Sequence, residues 1–223
     1  NAGDERTLLT RPTRSSDIDM PANSVSIDSL HQIDLSDTNR LRSLIESGFS
    51  DSTNRRDHIL AVADFAREVA TAIHQKHPGL AVDIDEIERA ALLHDIGYLP
   101  AVKEYLCKYT ELLPTGWHPV DGAYFLRSRG EERLADLIEG HGNSLEVAKL
   151  QHLATFTIST DLAAMIITFC DCQTDPTGKR LDYESRLEEI KLRKGASSVE
   201  VLAHEQAKPR IRQIIEEIKN LIA

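Results

Sequence analysis

His94 and Asp95 stand back to back at the end of an apolar, helically patterned run, Ala90-Ala-Leu-Leu-His-Asp-Ile-Gly-Tyr98. An imidazole and a carboxylate among Leu92, Leu93 and Ile96 cost free energy unless something compensates them. A divalent cation would do so. His58 before the doublet, and His118, His141 and Asp171 after it, supply further ligand types. Imidazole with carboxylate suits iron first in our reading, with manganese, zinc, nickel or cobalt also matching; thiolate-selective metals would call for cysteines. Four histidines and two aspartates exceed what one tetrahedral ion takes, so two divalent metal ions are expected.

The elements that must bring these residues together are helical. Residues 1–37 are rich in Ser, Asp, Thr, Arg and Pro with little periodicity, and read as a flexible N-terminal arm, with Met20 a candidate native start. Residues 38–223 read as one helical domain. Ser36 to Ser47 forms a short helix stopped by Gly48. Arg55 to His77 carries Ile59, Val62, Phe65, Ala66, Val69, Ala70 and Ile73 at three-and-four spacing, and Pro78-Gly79 ends it. Asp83-Ile-Asp-Glu86 is a capping box opening the helix of the doublet, with Gly97 its expected stop.

Pro100 begins another helix, Pro119 suits the first turn of a segment reaching Arg129, and Glu131 to Glu139 is closed by glycines around His141. Thr160 to Cys172 is a strongly apolar core helix ending near Asp171. Asp175-Pro-Thr-Gly178 is a turn, and Tyr183 to Lys194 and Val199 to Leu221 are amphipathic. No sustained two-residue alternation occurs, so the fold class is all-α. The last helix could pack on the core or on a second copy, which makes a homodimer a candidate assembly.

Composition narrows the partners. Twenty-six basic against 36 acidic residues give a net charge of −10, a poor match for a nucleic-acid polymer. No run approaches the roughly 20 apolar residues of a membrane helix. Cys107, Cys170 and Cys172 are too few and odd in number for a disulfide framework, and Asn1-Ala-Gly-Asp-Glu-Arg6 lacks a signal-peptide core. A cytoplasmic setting is expected.

The set His58, His94-Asp95, Asp171 resembles the HD-domain superfamily of metal-dependent phosphohydrolases, whose signature is a His, an adjacent His-Asp and a distant Asp. The resemblance covers residues from about 55 to 175. His118-Pro-Val-Asp-Gly-Ala and Gly140-His141 resemble the added histidines of the dinuclear subgroups, and the stretch from Asp175 to Ile190 resembles the tail of small bacterial members. The resemblance implies an HD-type helical bundle. It also implies that Asp95 bridges two ions, with His58, His94 and Asp171 on one and His118 and His141 on the other. Asp95, His118 and His141 would then be the catalytic set, acting with a metal-activated water on phosphorus.

The implied reaction is cleavage of a phosphate ester or anhydride of a small phosphorylated molecule, with a nucleotide the first expectation. The alternative is an HD-type mixed-valence di-iron oxygenase cleaving a C–C or C–P bond. Cyclic-dinucleotide phosphodiesterases of the group carry Lys where this chain has Tyr98, and their Gly-Tyr-Pro signature is missing, which argues against that activity. Arg55, Arg56, Lys103, Lys179 and Arg180 are candidate phosphate partners. His31, His74, His77, His152 and His204 lack motif context, Cys170 and Cys172 read as core filling, and Trp117 reads as core packing rather than as a wall of the site.

Overall fold

The computed structural model describes residues 25–153 and 156–223. The described residues form eleven α-helices and one 3₁₀ turn, with a single antiparallel bridge between Thr174 and Arg180 in place of any strand. The all-α expectation holds.

The centre is a long helix, α3 (Thr53–Lys76), after α1 (Ile27–Gln32) and α2 (Thr38–Gly48). It packs on α4 (Ile84–Leu93); α3 buries Ile59, Val62, Ala66, Val69, Ala70 and Ile73, and α4 buries Ile87, Ala90 and Ala91. Small side chains on both faces allow close approach of the two helix axes. Asp83 caps α4 by accepting from the Glu86 N–H at 2.9 Å, as the capping-box reading expects. Buried Glu88 of α4 accepts from Arg42 of α2 and Arg67 of α3, tying three helices together.

The chain leaves α4 through a 3₁₀ turn (Ile96–Tyr98) and continues as α5 (Pro100–Tyr109), α6 (His118–Ser128), α7 (Glu132–Glu139), α8 (Ser144–Leu150) and α9 (Leu162–Asp171). α9 is the apolar helix read from sequence; it packs on α3, where Phe169 meets Phe65 at 5.6 Å, and it buries Ile166, Ile167 and Cys170. The hairpin α10 (Tyr183–Lys194) and α11 (Val199–Ile222) follows. α11 commits its apolar stripe (Val201, Ala207, Ile211, Ile218) to the core against α3, α8 and α9. That stripe is therefore spent within the chain. No helix of the described residues is long and apolar enough to cross a membrane.

Two expectations need correction. The arm reading fails from residue 25 onward, while residues 1–24, Met20 included, lie outside the described residues. α1 docks on α5, burying Leu30 and Leu35; Arg129 donates to the carbonyls of Leu30 and Ile33 at its end, and His31 stacks on Tyr109 at 4.9 Å. Two anchoring leucines sufficed where periodicity was too short to read. Gly97 is not a helix stop either, because α4 has already ended at Leu93. A Cβ there would sit 2.1 Å from the His118 carbonyl oxygen and 2.8 Å from the Gly122 nitrogen. Gly97 lets the 3₁₀ turn press directly against the start of α6.

A candidate metal centre

All six residues singled out by type and spacing meet in one place. α3 delivers His58 one turn from its start, the end of α4 delivers His94 and Asp95, and the start of α6 delivers His118. The loop between α7 and α8 delivers His141, and Asp171 is the last residue of α9. His58, His94, Asp95, His118 and His141 are buried; Asp171 is partly open.

Asp95 lies at the middle, and its two oxygens face different partners. Its Oδ2 lies 3.6 Å from His94 Nε2 and 4.0 Å from His58 Nε2. Its Oδ1 lies 2.8 Å from His118 Nε2 and 4.0 Å from His141 Nε2. Asp171 Oδ1 joins the first pair, 3.1 Å from His58 Nε2 and 3.9 Å from His94 Nε2. Two ligand groups result, His58–His94–Asp95 and Asp95–His118–His141, in each of which the candidate atoms lie within 4.8 Å of one another. They share one carboxylate.

The residues fit divalent metal on their own chemistry. His94 Nδ1 donates to the Ala91 carbonyl at 2.6 Å and His141 Nδ1 to that of Ile138 at 2.5 Å, while His58 spans the Asp175 carbonyl at 3.2 Å and Asp171 Oδ1 at 3.1 Å. In His94 and His141, fixing Nδ1 as the donor leaves Nε2 with its lone pair toward the centre, the arrangement that orients metal-binding imidazoles. His94 Nε2 is fully buried with no hydrogen-bond partner. A buried acceptor left open costs about 1–3 kcal/mol, and an ion would relieve it.

The charges follow from burial and neighbours. Burial pushes the Asp95 carboxyl up, but the Arg55 guanidinium, His94 and His118 together hold it well below the usual carboxylate range. Asp171 is likewise raised by burial and brought net down by its His58 hydrogen bond and the nearby histidines. Burial lowers His118 to about 4 despite Asp95 beside it, and lowers His141 as well. Both imidazoles are thus neutral at pH 7, as metal binding requires.

Support comes from residues that the motif reading did not single out. Asp121, buried one turn into α6, accepts from Thr115 N, Thr115 Oγ1 and Gly116 N at 2.6, 2.8 and 3.0 Å, fixing the turn that leads into His118. A carboxylate in the first turn of a helix was the available signal. Arg210 of α11 donates to the Gly142 carbonyl at 2.9 Å and to Glu146, holding the His141 loop. Gly142 has φ +56°, and a Cβ there would meet Asp171 Oδ2 at 3.1 Å, so this loop needs glycine.

Of the five basic candidates, Arg55 alone lines the cavity. It pairs with Asp95 Oδ2 and lies over the Tyr98 ring at 4.0 Å, and Tyr98 in turn stacks on His118 at 4.0 Å. Arg56 turns to Asp57, Arg180 to Glu68 and the face of Phe65, and Lys103 and Lys179 are exposed away from the cavity. Trp117 is not core: it is half-buried, meets His118 edge-on at 4.7 Å and walls the cavity. Its place beside His118 at the mouth of α6 decides this. His204, without motif context, also lines the cavity, whereas His74 and His77 stay at the far end of α3. Cys170 and Cys172 are buried free thiols whose pKa burial raises, as core filling requires.

No curated protein and no solved structure matches the chain significantly. The HD domain family model matches residues 55–174, which span α3 through the end of α9 and more than half of the chain. With His58, His94-Asp95 and Asp171 converging inside that span, the chain belongs to the HD domain family.

Proposed function

We propose that this chain is a two-metal-ion phosphohydrolase that cleaves a phosphate ester or anhydride of a compact small molecule. Membership of the HD domain family supports metal-dependent hydrolase chemistry. The observation that carries the dinuclear form is the division of the Asp95 oxygens, Oδ2 toward His58 and His94 and Oδ1 toward His118 and His141. In this reading His58, His94 and Asp171 would hold one ion and His118 and His141 the other, with Asp95 available to both. When bound, such a pair supplies a water of lowered pKa and Lewis acidity toward a phosphoryl oxygen.

The rest of the work falls to the chain. Arg55 is a planar donor at the rim of the carboxylate cluster, suited to take phosphate oxygens in a forked hydrogen bond. Tyr98 holds Arg55 and His118 at a fixed separation by stacking on both. Trp117 and Tyr98 keep bulk water off the Asp95 face. The cavity, open to solvent on one side, has about 110 Å³ of room, below the roughly 300 Å³ at which ligand pockets for larger molecules begin. Most of a nucleotide would lie outside it, so a compact phosphate is the better match. A cytoplasmic setting belongs to this reading, supported by three free thiols.

The deciding experiment loads the protein separately with iron, manganese, zinc, nickel or cobalt and follows phosphate release and oxygen uptake together. Phosphate released without oxygen consumption is expected, with loss of turnover in Asp95→Asn. Oxygen consumed by the iron form without phosphate release overturns the proposal in favour of a di-iron oxygenase.

A further inference from the structure

One wall of the cavity comes from outside the family match, built by Arg186, Ile190, Arg193, Lys194, Glu200 and His204 of the α10–α11 hairpin. The ion pairs inside that wall are uneven. Glu189 accepts from both Arg186 and Arg193, and Glu200 takes Lys194 at 3.1 Å. Three cations therefore share two carboxylates.

Arg186 is the odd one. It is 8% exposed, one edge of its guanidinium is engaged by Glu189, and its Nε is buried with no partner. Three further cavity-lining nitrogens share that condition, Trp117 Nε1, His118 Nδ1 and His204 Nδ1. The indole and guanidinium nitrogens can only donate, and a buried donor left open costs about 1–3 kcal/mol. Metal binding makes no use of any of them. A pocket with spare donors, one wall of which carries a cation beyond that wall's carboxylates, calls for an oxygen-rich anion.

We propose that Arg186, with the Trp117 indole N–H, forms a second anion subsite. The substrate is then a compact phosphate bearing another anionic group, a carboxylate or a second phosphate, away from the bond that breaks. This rests on the phosphohydrolase reading, which places the scissile phosphate at the six-residue cluster. The subsite explains why the hairpin closes the cavity with arginines: it selects doubly anionic molecules over singly anionic ones of equal size.

The test measures binding to metal-loaded protein by calorimetry with three non-hydrolysable probes: propylphosphonate, 2-carboxyethylphosphonate and ethylene-1,2-bisphosphonate. At least one doubly anionic probe is expected to bind tenfold or more tighter than propylphosphonate, and which one does so separates carboxylate from phosphate. Arg186→Gln should reduce that preference to within threefold while leaving propylphosphonate binding unchanged. Trp117→Phe keeps the ring, removes the donor and should cut the preference severalfold; it carries the test if Arg186→Gln loses its thermal transition. Equal binding of all three probes by the native protein overturns the subsite and leaves the phosphohydrolase reading intact. A preference undiminished in both variants also overturns the subsite. No binding of any probe overturns both readings.

Discussion

Replacing Asp95 by Ala should remove both metal ions at once, because a single carboxylate faces both histidine pairs. The size of the effect can be set against the other ligands. With free metal at about one hundred times its dissociation constant, each ion adds about 2.7 kcal/mol to the native state. Two ions add roughly 5 kcal/mol, which for a chain of this length raises the melting temperature by about 10–20 °C. The native protein should show that full shift and two ions per chain by elemental analysis. His141→Ala and His58→Ala should each keep one ion and about half of the shift, while Asp95→Ala should keep neither.

Each comparison is made within one variant, with and without metal, because Asp95→Ala also strips Arg55 of its partner. That loss lies below the ~3–5 kcal/mol of a fully buried pair, since the Arg55 side chain is 32% exposed. An Asp95→Ala protein that holds one ion and half of the thermal shift would refute the shared carboxylate.

Gly97→Ala should destabilise by about 3 kcal/mol, the upper end for overpacking, because its Cβ meets backbone at His118 and Gly122 rather than a movable side chain; denaturant unfolding of the metal-free protein checks this, and a loss under 1 kcal/mol would refute it. Arg55→Gln should retain both ions yet lose about tenfold or more in kcat/KM, from one charge-assisted hydrogen bond; metal content measured beside kinetics separates the two roles. His204 is lowered to about 4 by burial, so the unfolded chain takes up its proton first as pH falls. Its neutral form therefore stabilises the fold above pH 6.5, and that contribution drains away between pH 6.5 and about 4, worth ~3 kcal/mol over the interval. His204→Gln should flatten the stability profile of chelated protein across that window by this amount; parallel profiles would refute the assignment.

Much of this was legible in the sequence for reasons that can be stated. α3 and α9 were readable because their apolar residues recur over several turns, and the six candidate ligands because His and Asp at helix ends stand out against an apolar background. α8 is illegible because seven residues beside glycines carry too little pattern, and α1 because Leu30 is its single buried residue. Arg210 and His204 are illegible for a different cause, and Arg186, although it lies in the stretch that resembles the tail of small family members, shows no role there. Each is ordinary on its own amphipathic helix, and its use arises only when the α10–α11 hairpin returns to the cavity and the His141 loop. Spacing along one helix carries no record of such a return.

The guanidinium of Arg55 is shared between two claims on it. It neutralises the central carboxylate from the α3 side, and it lies over the Tyr98 ring, which leaves it a resting place at the cavity edge. A divalent ion taking the Oδ2 side of Asp95 would compete with that guanidinium for the same oxygen. The positive charge turned away would stay beside the opening, so filling the centre and arming its entrance with a donor would be one event rather than two.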